Sequence, residues 1–135
     1  MNVIASLVVT GIIFGILDFF WLGRVGRPLY DERMGSILKP EFNMVAALIF
    51  YVIYVAGITY FATQPALAEG SFGKAVLAGA FLGFFAYATY NLTALAVLKG
   101  YPASIVAIDM AWGTLATAIS SGGTYLVIRA LPWFN

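Results

Sequence analysis

Three polar side chains stand where hydrocarbon would ordinarily forbid them. Asp18 interrupts ILDFFWLG, Asn91 interrupts YATYNLTALAVLKGYP, and Asp109 interrupts IVAIDMAWGT. An acid at the centre of a membrane helix costs roughly 2.5–3.5 kcal/mol on insertion scales. One retained there marks a ligand, proton or catalytic site by default, and two acids meeting at such depth can share one proton. Lys99 closes the second of these runs and is the obvious counter-charge. The rest of the chemical vocabulary is short. The chain has no histidine and no cysteine, which removes the commonest zinc ligand and general base together with every disulfide and thiolate. No metal-ligand spacing, nucleophile elbow or phosphate loop is present. No cofactor and no metal is therefore expected.

The elements that must position these residues are legible in the composition. Of 135 residues, 62% are hydrophobic and 10% charged, seven basic and six acidic, for a net charge of +1. The mean hydropathy is +0.94. Soluble domains carry about 25% charged residues, and so few charges could not cover this much apolar surface in water. Without a basic run, nucleic acid is not an expected partner. Four apolar runs, at about 2–22, 43–63, 72–98 and 103–128, each approach the ~20 residues that a bilayer core requires. The expected fold is all-α: one domain over residues 1–135, a polytopic membrane protein of four transmembrane helices in a compact antiparallel bundle.

The first run resembles a cleaved signal peptide only superficially. MNVIASL lacks a basic start, and no small-x-small cleavage site follows Asp18. A retained span is expected, with Val8, Gly11, Gly15, Asp18 and Leu22 on one seam. Residues 23–42 form the one long connection, where Pro28 opens a short interfacial helix with Tyr30, Met34, Ile37 and Leu38 on its apolar face. Gln64-Pro65 begins a polar turn that runs through Glu69 to Gly70-Ser71, and Gly100-Tyr101-Pro102 is a tight turn. Gly79, Gly83, Tyr87, Asn91, Leu95 and Lys99 follow in steps of four, and Asp109, Gly113, Ala116 and Ser120 share a small-residue seam. Arg24, Arg27, Arg33, Lys39 and Lys99 fall on one side of the bundle, against Lys74 and Arg129 on the other. The positive-inside rule puts the first group in the cytoplasm and both termini in the periplasm. A bacterial inner membrane is the expected location.

This topology brings Asp18, Asn91 and Asp109 to similar depth in the cytoplasmic half. Tyr51 and Tyr54 reach the same level, and Tyr87 lies four residues before Asn91 on its stripe. Trp21 and Trp112 each follow an acid by three residues and share its face, where an indole N–H can satisfy a carboxylate. These nine residues, Lys99 included, are the candidate ligand-binding set. Each has a structural alternative: interhelical hydrogen bonding for the aspartates and Asn91, headgroup anchoring for Lys99, and interface placement for the tryptophans.

DFFWLG, FYVIY, YATYNLTALAVLKGYP and IDMAWGT together resemble a group of bacterial membrane proteins, domain of unknown function family 2177. The resemblance extends over essentially the whole chain and is most specific in the third and fourth runs. The family pattern there is closer to Y-D-L-T-N-L-A…K-G-W-P. Asn91 stands where that pattern has an acid, Ala94 where it has an amide, and Tyr101 where it has a tryptophan. The resemblance implies a compact four-helix membrane protein and no particular activity.

Three functions fit these features. The leading expectation is binding, or transport, of a small-molecule or lipid ligand in a polar and aromatic intramembrane pocket near the cytoplasmic side, by a homo-oligomer such as a dimer. The alternative is an accessory or assembly subunit of a larger membrane complex, its polar residues joining helices. A lipid-modifying enzyme using two aspartates as acid and base comes third.

Overall fold

The computed structural model describes residues 3–21 and 44–131. Its helices are α1 (Val3–Phe20), α2 (Met44–Ile58), α3 (Gln64–Glu69), α4 (Phe72–Val97) and α5 (Ala103–Ala130), with a π-helical stretch at Thr59–Thr63. This stretch joins α2 to α3 without a break, so Val45–Glu69 makes one apolar rod of 25 residues. Together with α1, α4 and α5 it gives four packed helices long and apolar enough to cross a bilayer. No strand occurs among the described residues. The interfacial helix expected after Pro28 lies outside them.

The second span is longer than the sequence pattern suggests, because Gln64-Pro65 does not end it. Pro65 has no N–H to donate and its ring would clash with the carbonyl four residues back. The backbone widens just before it instead: the Gln64 N–H reaches back five residues to the Thr59 carbonyl, the bonding of a π turn. Pro65 then follows the widened turn as the second residue of α3. The polar turn shrinks to Gly70-Ser71. Gly70 adopts a left-handed conformation at φ 65°, and the Ser71 hydroxyl caps α4 by accepting from the Lys74 N–H at 3.0 Å. Glu69 and Lys74 form an ion pair across this turn.

The bundle turns its polar atoms inward and its hydrocarbon outward. On α1, Ser6, Thr10 and Phe14 are buried while Ile4, Val8, Ile12 and Ile16 are exposed; each set advances in steps of four. Val8 therefore faces outward, contrary to the seam read from the glycines. Gly11 and Gly15 receive the Tyr51 side chain, whose hydroxyl donates to the Gly11 carbonyl. Hydroxyl pairs tie the other helices together. Thr10 and Thr124 meet at 2.8 Å, Gln64 Nε2 donates to Ser6 at 3.0 Å, and Tyr54 meets Thr117 at 2.6 Å. Water is absent from a bilayer core, so such bonds satisfy groups that would otherwise be desolvated without a partner.

Helix α5 is the axis. It packs along most of α4 and against α1, and it buries twelve residues, among them Gly113, Ala116, Thr117, Ser120 and Ser121. The close approach of α4 to α5 depends on glycine. A Cβ at Gly79 would lie 2.9 Å from the Thr117 carbonyl oxygen, and one at Gly83 would overlap the Gly113 carbonyl. Gly113 in turn leaves room for the Tyr87 ring, which would collide with any side chain there. The two helices are thus locked in one register by small residues, as close-packed membrane helices are.

Candidate functional site

That register brings Asn91 opposite Asp109. Asn91 lies six residues before the end of α4 and Asp109 six residues after the start of α5. At 1.5 Å per residue, both sit roughly 9 Å inside the hairpin end. Asn91 is fully buried, and its amide is oriented from both sides. Nδ2 donates to Asp109 Oδ2 at 2.7 Å and to the Tyr87 carbonyl at 2.8 Å, while Oδ1 accepts from the Tyr101 hydroxyl at 2.9 Å. A flipped amide would set its oxygen against two acceptors, so one orientation is enforced. The chain of donors runs Tyr101 to Asn91 to Asp109, and each bond polarises the next.

Tyr101, absent from the candidate set read from the sequence, belongs to this network. Its sequence context predicts a turn, and the turn is there: Gly100 adopts φ 77° and α5 starts immediately after Pro102. The phenol is buried between the helix ends, packed with Ala94, Ile105 and Val106. Burial, then the neighbouring Tyr90 and the Asp109 carboxylate, push it above the usual phenol range. It stays protonated and remains a donor to Asn91. The available signal is its place two residues before a helix start, one hairpin turn from an amide.

The aromatic residues form a connected set around this network. Phe14 meets Tyr54 edge-on at 5.3 Å, Phe50 stacks on Tyr54 at 5.4 Å, and Tyr54 meets Tyr87 at 6.1 Å. Trp21 and Trp112 stack face to face, 4.5 Å apart and within 7° of parallel. The two D-x-x-W runs therefore meet through their indoles. The expected bond from indole to acid does not form at Trp112, whose Nε1 is buried with no hydrogen-bond partner among the described residues. The flat stack holds the ring and turns its nitrogen into the packed interior. Asp18 lies within electrostatic reach of Asp109 and of Tyr51. Lys99 is exposed in the hairpin turn beyond the end of α4. The structure thus gathers Tyr87, Asn91, Asp109, Trp21 and Trp112 about one level, with Asp18 and Tyr54 beside them. Tyr51 is directed to the α1 glycines, and Lys99 stands at the rim.

A cavity of about 400 Å³ opens beside the network, lined by Phe50, Ala86, Tyr87, Tyr90 and Asp109. It exists because α4 packs against the π-helical stretch and α3 much more than against α2 itself. The two spans therefore part toward the start of α2. Phe50 and Tyr90 are 49% and 56% exposed and form its outer walls. The opening accordingly faces sideways between α2 and α4. A larger groove of about 820 Å³ runs between α1 and α2, walled by Val8, Ile12, Ile16, Phe19 and Val52 with Tyr51. It is open and carries no charge. Among the described residues no group of three or more carboxylates could hold a metal ion.

No curated protein and no solved structure matches the chain. A family model does, over residues 3–126, and its description is "Predicted membrane protein (DUF2177)". With nearly the whole of its length so matched, and with four packed helices each able to cross a bilayer, the chain is a multi-pass membrane protein belonging to the DUF2177 family.

Proposed function

We propose that this protein binds a small amphipathic molecule, or part of a lipid, in the cavity between α2, α4 and α5. The observation that carries this reading is the cavity itself. Asp109, whose carboxylate accepts from the buried Asn91 amide, lines it together with the rings of Phe50, Tyr87 and Tyr90 and the methyl of Ala86. A volume of about 400 Å³ lies in the range of small-molecule sites, which are apolar with a few convergent polar groups. The sideways opening favours a ligand that arrives from the bilayer.

In this reading the Lys99 end faces the cytoplasm of a bacterial inner membrane, as the Lys and Arg distribution favours. A thiol at position 99 that impermeant reagents reach in inside-out vesicles but not in whole cells is the check.

Native mass spectrometry of the protein released from its own membranes tests the binding reading. The wild type is expected to retain a small-molecule adduct, and Asp109→Asn to lose it while keeping its helical circular dichroism. If the adduct is absent from the wild type, or is retained equally by Asp109→Asn, the cavity is not a ligand site. Co-release with a larger protein complex in place of a small adduct would favour the assembly role.

A further inference from the structure

The second span changes character along its length. From the π-helical stretch onward it is anchored. Ala62, Thr63, Ala66 and Leu67 are buried, Thr63 meets Ser121 at 3.3 Å, and Gln64 donates to Ser6. Before that stretch the span is held loosely. Among the described residues α2 buries only Tyr54, Val55 and Ile58, residues 45–50 are exposed throughout, and α4 packs against the π-helical stretch and α3 much more than against α2. Segments with few buried contacts open at low free energy. Between the two parts, residues 57–65 concentrate features that weaken or bend a helix. Gly57 is a poor helix former, with no neighbouring atom within 4 Å of where its Cβ would stand. The Thr59 hydroxyl donates back to the Val55 carbonyl at 2.9 Å, a bond that often bends helices. The Gln64 N–H closes the π turn on Thr59, and Pro65 supplies no N–H to the turn before it. Sharp kinks in helices form at such turns and prolines.

We propose that α2 is a hinged gate, which swings at residues 57–65 and sets the width of the cavity mouth through Phe50, with the hydroxyls of Tyr51 and Tyr54 as its latches. The gate acts on the cavity of the ligand-binding reading and rests on that reading only for what passes through it. Phe50 is the one cavity wall on the loosely held part, whereas Ala86, Tyr87, Tyr90 and Asp109 belong to the glycine-sealed α4–α5 hairpin. It sits roughly 13 Å along the helix from Thr59, so a kink of about 20° at the hinge moves it by roughly 4–5 Å. Two bonds oppose that movement. Tyr54 meets Thr117 of α5 at 2.6 Å, and the Tyr51 hydroxyl donates to the Gly11 carbonyl of α1. Both tyrosines lie between Phe50 and the hinge, so releasing them frees the part of α2 that carries the wall.

The test measures distances between nitroxide pairs by electron–electron double resonance, on the full chain in phosphatidylcholine nanodiscs. One pair, Leu48→Cys with Leu92→Cys, spans the cavity mouth from exposed positions on α2 and α4. The other, Ala68→Cys with Ile119→Cys, joins exposed positions on α3 and α5, past the hinge. A broad distribution is expected for the first pair and a narrow one for the second. Tyr54→Phe keeps the ring that stacks on Phe50 and should extend only the first distribution to longer distances. Gly57→Ala, which favours regular helix, should narrow it. Alkylation of Ala86→Cys in the cavity wall should rise severalfold with Tyr54→Phe and fall with Gly57→Ala. Two equally narrow distributions that Tyr54→Phe leaves unmoved overturn the proposal, as does a shift of both pairs together or an alkylation rate that neither variant changes. The two readings fail separately. An adduct in the native mass spectrum of a protein whose first pair does not move leaves a static ligand site and overturns the gate alone. A first pair that moves as expected in a protein without any adduct upholds the gate and removes the ligand.

Discussion

Asn91 is the residue on which the candidate site turns, although it cannot titrate. Its amide joins α4 to α5 through Asp109 and to the hairpin turn through Tyr101. Hydrogen bonds between membrane helices average about 0.6 kcal/mol and reach about 1.7. Asn91→Leu removes two tertiary bonds at a fully buried position and leaves a phenol and a carboxylate without that partner. A loss of about 1–2 kcal/mol is expected in detergent unfolding titrations. Tyr101→Phe removes one bond and keeps the ring, so less than about 1 kcal/mol is expected. Equal stability of Asn91→Leu and wild type would mean that the amide organises nothing. At this scale the polar residues were legible, because Asp18, Asn91 and Asp109 each break an apolar run. The aromatic walls were not. Phe50, Tyr90 and Tyr101 are ordinary membrane residues by type, and only the packing of three helices tells a wall from a lipid contact.

At the scale of elements, the α4–α5 hairpin is a glycine-sealed pair and the second span is its looser neighbour. The steps of four from Gly79 to Asn91 and the seam from Asp109 to Ser120 were readable as packing faces, and they meet. Leu95 and Lys99 continue the same stepping but are exposed, since a step of four drifts around a helix of 3.6 residues per turn. The π-helical stretch was hidden, because Gln64-Pro65 carries the usual sign of a helix boundary and local rules cannot show a backbone that widens to keep going. Two glycine substitutions separate the roles of these elements. Gly113→Ala forces the Tyr87 ring aside and is expected to cost about 1–3 kcal/mol, with the cavity disturbed. Gly57→Ala meets no described atom within 4 Å, and is expected to be neutral or to stabilise by about 0.4–1 kcal/mol by restricting the unfolded chain. Unfolding titrations in one detergent compare the two. A reversed order would contradict the hairpin packing.

At the scale of the whole molecule, the four spans bury hydroxyls along much of the bundle, and the Asn91–Asp109 network lies near the Lys99 end. The number of spans followed from hydropathy, because bilayer thickness imposes a length that sequence reports directly. The cavity did not, since it depends on where two spans part. Its accessibility is the central claim. The chain has no cysteine, so a single introduced thiol reports without background. The most direct measurement compares alkylation of Ala86→Cys, in the cavity wall, with that of Ala118→Cys, which is buried against Gly79. Both are treated in native membranes with cationic and anionic methanethiosulfonates. Labelling at 86 but not at 118 is the expected result. Protection at 86 equal to that at 118 would contradict the account.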